Sequence, residues 1–158
     1  MTPVHPAVMS SDRMDWGTPD SLFDPLNAEF GFTLDAAASA ANAKCAEFFD
    51  VQADALSRNW RTVAKDGCVW VNPPYGRSIG DWVRKSLDEY HQGARVVMLV
   101  PSRTDTRWWQ LAVQASEIRF LRGRVRFVGA DGHAPFPSAL LIFHADYHRP
   151  CYQWMDTP

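Results

Sequence analysis

The chain has little of what would mark an exported or cross-linked protein. Its three cysteines, Cys45, Cys68 and Cys151, are odd in number and widely spaced, with no C-x-x-C pair. That argues against a disulfide frame and a zinc site, and for a reducing cytoplasm. No basic segment followed by an apolar run stands at the N-terminus, and no stretch approaches the ~20 apolar residues that a membrane span requires. An unexported protein with no membrane partner is expected. The five histidines form no ligand-like cluster, so no metal is expected either. An excess of positive charge is missing too: the formal net charge is −2, so a polyanionic partner would have to be met by a local patch.

What is present is an ordinary globular composition, 46% hydrophobic and 22% charged, in a length that suits one domain. Residues 1–15 lack periodicity and read as a flexible leader, 16–144 as the domain, and 145–158 as a C-terminal tail. Thr18-Pro19-Asp20 looks like a helix start, with Thr18 as N-cap and Pro19 in the first position. Leu22, Phe23, Leu26 and Phe30 follow at helical spacing up to Gly31. Residues 32–37 read as a short strand and 39–48 as a second helix. Residues 68–71 form an apolar strand stopped by Asn72-Pro73-Pro74-Tyr75-Gly76; 79–91 read as a helix, 94–101 as the strongest buried strand, and 106–115 as a helix. The alternation predicts an α/β fold with a mostly parallel sheet. A hairpin over 117–127, turning at Arg122-Gly123, and a strand over 138–144 give an antiparallel close.

The motif with chemical content is Asn72-Pro73-Pro74-Tyr75 at a strand end. A chance match in a chain of this length is on the order of one in a thousand. An aromatic amine is a poor nucleophile because its lone pair is delocalised into the ring. If the Asn72 side-chain carbonyl and the Pro73 backbone carbonyl each accept one N–H, the nitrogen is drawn toward a tetrahedral shape with its lone pair free. Pro73 and Pro74 stiffen the loop and bring no competing N–H. Tyr75 offers a stacking face for a nucleobase, or else a core aromatic.

The chain resembles the short, Dam-like DNA N6-adenine methyltransferases of phages and prophages, from Asp15 to Phe143. The resemblance is carried by Asp15-Trp16-Gly17-Thr18-Pro19, Phe32-Thr33-Leu34-Asp35, Asn42-Ala43-Lys44-Cys45, Asn72-Pro73-Pro74-Tyr75-Gly76, Pro101 to Trp109, and Ala134-Pro135-Phe136-Pro137-Ser138. It implies a Rossmann-like AdoMet-dependent methyltransferase fold, with S-adenosyl-L-methionine as cofactor and double-stranded DNA as partner. It places Trp16, Thr18 and Pro19 against the cofactor, Thr18 with Pro19 near its carboxylate, and it puts Asp35, Ala36 and Asn72 in the same site. Asp54 is similar to the acid that contacts the cofactor's adenine; a capping aspartate is the other reading of that residue. The glycine-rich turn usual after the first strand is replaced by Ala36-Ala37-Ala38-Ser39, and 37 positions (72 minus 35) separate Asp35 from Asn72. A trimmed sheet is therefore expected.

Arg119, Arg122, Arg124 and Arg126 form an arginine-bearing ribbon suited to DNA, or a solvated strand face. Arg103 and Arg107 share a loop at the same sheet edge as Asn72. Of Trp108 and Trp109, one should pack in the core and one stay near the site. Phe136, between two prolines, faces either the target base or the interior. Site-specific methylation of a flipped-out adenine, in a bacterial cytoplasm, is the leading reading. A methyltransferase for an RNA base or a protein glutamine, and an inactive DNA-binding module, are the alternatives. A homodimer through the aromatic tail 147–154 is one arrangement open to so small a chain.

Overall fold

The computed structural model describes residues 16–147 and 151–158, so the expected leader over residues 1–15 lies outside the described residues. The elements run α1 (Asp20–Phe30), β1 (Phe32–Asp35), β2 (Glu47–Phe48), two 3-10 turns (Val51–Ala53 and Ala55–Ser57), α2 (Trp60–Ala64), β3 (Cys68–Val71), α3 (Ile79–His91), β4 (Val96–Pro101), α4 (Trp109–Ala112), β5 (Glu117–Arg122), β6 (Ser138–Phe143) and β7 (Cys151–Asp156). The strands form one sheet in the order β2-β1-β3-β4-β6-β5-β7. β6 alone runs against its neighbours, pairing antiparallel with β4 and with β5; the other pairings are parallel. This is a mixed α/β, Rossmann-like sheet. Its trimming is visible between β1 and β3, where the chain makes only the two-residue β2, the 3-10 turns and the five-residue α2.

Alternation along the central strands divides the core. Val69, Val71, Val96, Met98 and Val100 face α2, α3 and α4, with Trp60, Trp82 and Trp109 packed on them. Trp70, Val97 and Leu99 face α1 through Leu22, Phe23, Leu26 and Phe30. The fully buried β3 and β4 therefore read as continuous apolar runs, as strands covered on both faces must. Each large side chain buried this way contributes about 1.5–3 kcal/mol. Gly31 ends α1 in the left-handed conformation at φ 66° and returns its N–H to the Asn27 carbonyl at 2.9 Å. Cys45 and Cys68 are free thiols, their pKa values both pushed up to about 12 by burial.

Five expectations are corrected. The N-cap of α1 is Pro19, not Thr18, because the buried Thr18 side chain is engaged elsewhere and makes no cap. Residues 39–46 form turns instead of a helix: the Asn42 side chain takes the Ser39 N–H at 2.7 Å and Asp35 takes the Lys44 N–H at 3.0 Å. Local side-chain acceptors there defeat the helical propensity of an alanine-rich segment. The helix expected over 106–115 shrinks to α4. No hairpin forms within 117–127; Gly123 turns the chain at φ 80°, but Val125 and Phe127 sink into the α1 side of the core, and β5 pairs with β6. Finally, the segment expected as a tail supplies β7, which pairs with β5 from Glu117 to Arg122.

Candidate active site

The carboxyl ends of β1, β3 and β4 open on one edge of the sheet. The chain leaves β1 toward β2 on one side and toward β3 on the other, and the crevice outside such a switch point is where open α/β sheets bind ligands. A cavity of about 1190 Å³ lies there. One half is walled by Ala36 to Ser39, Phe49, Asp50, Asp54 and Leu56, and the other by Asn72 to Arg77, Arg103, Arg107, Trp108 and Phe136. Trp16 and Trp82 also line it.

β3 ends in the buried Val71, and the proline pair then carries the chain out of the sheet without helix or strand. The Asn72 amide nitrogen donates to the Trp16 carbonyl at 3.1 Å and to Thr18 Oγ1 at 3.3 Å. The Tyr75 hydroxyl donates to Asn72 Oδ1 at 3.0 Å, and the Leu99 carbonyl lies 3.2 Å from it. Burial holds the Tyr75 phenol well above its usual pKa, so it stays a protonated donor. Its ring meets Phe127 and Phe136 edge-on, at centroid distances of 6.2 and 5.5 Å. Among the described residues the Pro73 carbonyl accepts no hydrogen bond.

The residues expected to hold a cofactor separate into two groups. Trp16, Ala36, Asp54 and Asn72 line the cavity. Thr18, Pro19 and Asp35 do not. Asp35 is buried and receives the N–H groups of Ala37 and Lys44, at 3.3 and 3.0 Å, so it shapes the 36–44 turn whose first residues form the cavity wall. Burial raises its pKa against the lowering effect of those hydrogen bonds and of the Lys44 charge. Asp54 sits in the left-handed region at φ 49°, between the 3-10 turns. Sequence reasoning missed Phe49, Asp50, Arg77 and Trp82 on the wall. Asp50 directly follows the apolar pair Phe48-Phe49, an acid just past a strand, but a two-residue strand leaves no periodicity to read.

The basic residues separate as well. Arg103 and Arg107 line the mouth, and the Arg103 guanidinium lies 5.8 Å from the Phe136 ring centroid. Trp109 is buried while Trp108 faces the cavity. Arg119 is not available to a partner: both guanidinium NH2 groups bond Glu29, at 2.7 and 2.6 Å, and Nε bonds Glu117 at 2.5 Å. Tyr147 donates to the same Glu29 at 2.8 Å. Arg122 is exposed, with Asp156 3.6 Å away. Arg124 and Arg126 are exposed between the buried Val125 and Phe127, and among the described residues they have no hydrogen-bond or ion-pair partner.

A family model described as DNA N-6-adenine-methyltransferase (Dam) matches residues 6–152. A DNA N-6-adenine-methyltransferase of Escherichia phage T1 is 35% identical over 130 residues, covering 81% of this chain and 52% of that protein. A DNA N-6-adenine-methyltransferase of Haemophilus phage HP1 (strain HP1c1) is 28% identical over 125 residues, 77% of this chain and 70% of that protein. The chain thus spans about half the length of the phage T1 relative.

Proposed function

Because this chain belongs to the DNA N-6-adenine-methyltransferase (Dam) family, we propose that it transfers a methyl group from S-adenosyl-L-methionine to the exocyclic N6 amine of an adenine in double-stranded DNA. The observation that carries this reading is the pair of acceptors at the end of β3. Asn72 has its amide nitrogen bonded to Trp16 and Thr18, its Oδ1 accepts from Tyr75 and keeps a second lone pair, and the Pro73 carbonyl beside it is open. A primary amine held by both would keep its lone pair unshared and directed away from them. Hydrogen bonds aimed at developing charge in a site prepared in advance lower the barrier without a strong base.

The other half of the cavity fits the methyl donor. Ala36, Ala37 and Ala38 leave room where larger side chains would fill the crevice, Phe49 and Leu56 offer apolar surface to a purine, and Asp50 and Asp54 offer carboxylates to ribose hydroxyls and an adenine amine. When bound, the cofactor supplies an electrophilic methyl carbon on a sulfonium sulfur. The residues of this chain hold both partners and exclude water. An adenine inside a duplex cannot reach Asn72, so the base is extruded, with Tyr75 and Phe136 as aromatic surfaces to receive it. Arg103 and Arg107 at the mouth, with Arg124 and Arg126 beyond it, meet phosphates.

Expression in a bacterium lacking adenine methylation, followed by long-read mapping of modified bases, tests the reading in the expected cytoplasmic setting. Methylated adenines in one sequence context are expected, and unmodified DNA from cells holding folded protein would reject it. A homodimer belongs to the same proposal. Trp154, 65% exposed on β7 at the end of the sheet, suits a second copy, and one monomeric mass by light scattering at all concentrations would remove that part.

A further inference from the structure

We propose that Thr18 is a positioning residue for methyl transfer: the Trp16 carbonyl sets which end of the Asn72 amide faces the substrate, and the Thr18 hydroxyl, by accepting the second N–H of that amide, holds it there. The inference rests on the reading of the cavity given above. A terminal amide has one donor end and one acceptor end of nearly the same shape, and its surroundings decide which points where. Turned over, Asn72 would offer NH2 to an incoming NH2, donor against donor, and the activation described above would be lost.

One contact selects the productive orientation, and two hydroxyls, each able to donate or accept, complete it. The Trp16 carbonyl can only accept, and it lies 3.1 Å from the amide nitrogen. Thr18 Oγ1 accepts from the same nitrogen at 3.3 Å. On the other side the protonated Tyr75 hydroxyl donates to Oδ1 at 3.0 Å. The two more obvious uses of Thr18 are absent: it makes no cap to α1, and, at 3% exposure, it is not part of the cavity wall. Its place is held from a distance. Gly17, between Trp16 and Thr18, forms a bridge with Val128, whose N–H donates to the Gly17 carbonyl at 2.9 Å. The segment bearing Arg124 and Arg126 is thereby tied to the two residues that orient the amide.

The test uses purified full-length protein, single-turnover methylation of an adenine-containing duplex, and separate titration of S-adenosyl-L-methionine. Thr18→Val should lower the methyl-transfer rate at saturating DNA and cofactor about five- to tenfold, as loss of one neutral hydrogen bond does, with cofactor Kd within about twofold of wild type. Thr18→Ser, which keeps the oxygen, should recover most of that rate. In an Asn72→Ala background Thr18→Val should cost nothing more, because a residue that acts through Asn72 has no object there. Thr18→Ala carries the same expectations if the valine variant fails to melt cooperatively. A rate unchanged in Thr18→Val or Thr18→Ala, a rise in cofactor Kd in place of a slower rate, or an equal loss in the Asn72→Ala background would each overturn the assignment. A wild-type protein that methylates no DNA would instead reject the functional reading itself.

Discussion

The two ends of the sheet differ in how completely their polar groups are paired. At the amino end of the parallel strands the buried charges are closed off. Glu89 accepts the Trp60 and Arg61 N–H groups that begin α2, at 3.0 and 3.3 Å, and the Lys85 ammonium at 2.6 Å. Glu117, Arg119, Glu29 and Tyr147 form a second closed set. At the carboxyl end pairing is incomplete. The buried side-chain atoms without a partner among the described residues are Trp16 Nε1, Ser102 Oγ and Ser138 Oγ, all at that end. Buried polar groups are normally satisfied, so an end that leaves several open is one adapted to something besides folding. Charge and polarity thus mark a candidate site only where the fold has not already used them.

The contrast can be broken most sharply at Asn72. Asn72→Ala should lower turnover by about two to three orders of magnitude, the usual cost of removing a transition-state hydrogen bond, with little change in cofactor affinity or melting temperature. Steady-state kinetics beside calorimetric titration would check it, and equal turnover would defeat it. At the closed end the pattern should reverse. Glu89→Ala leaves Lys85 and two helix N–H groups without their acceptor and should cost about 2–3 kcal/mol in urea unfolding, with the methyl-transfer rate of the remaining folded protein preserved.

Two arginine comparisons sharpen it further. Replacing Arg124 and Arg126 together by alanine should weaken DNA binding about tenfold and flatten its dependence on log salt by roughly 0.9 for each phosphate that is no longer neutralised. Arg119→Ala should leave that slope alone, because its guanidinium already serves two carboxylates. The smallest effect concerns pH. Hydrogen bonds from Arg119 hold the Glu29 carboxyl below its usual 4.5, against the opposing effect of burial. A lowered folded value means stability that is present above pH 4.5 and fades as pH falls through the lowered value. Thermal melts between about pH 6 and 3 should therefore show a shallower acid loss for Arg119→Met than for wild type; parallel curves would argue against the clamp.

Much of the frame was legible because long apolar runs are unambiguous. β3, β4 and β6 announce themselves as continuous apolar runs and α1 and α3 by helical spacing, and the proline pair after β3 marks a strand end that opens on the cavity. What escaped depends on particular partners, some of them distant in sequence. β2 is two residues long, and β7 exists by pairing with β5, some thirty residues earlier. The turns over 39–46 are set by Asp35 and Asn42 side chains, which no propensity scale registers. Asn72, Tyr75, Arg103 and Arg107 were singled out by type and position, Asp54 and Phe136 with the help of the resemblance, and all six line the cavity. Thr18 was placed at the cofactor by the resemblance and Arg119 in a DNA-facing ribbon by alternation, and each is bonded to another residue of the chain.

The segment after Gly123 has a consequence for which changes the chain can absorb. Outward Arg124 and Arg126 alternate with inward Val125 and Phe127, and no helix or strand ladder enforces that alternation beyond the bridge at Val128. Exchanging either arginine leaves the hydrophobic anchoring intact, whereas removing or adding one residue would swing a guanidinium toward the interior and a phenylalanine toward water. In this stretch the fold constrains the spacing of the residues more tightly than the identity of the outward side chains.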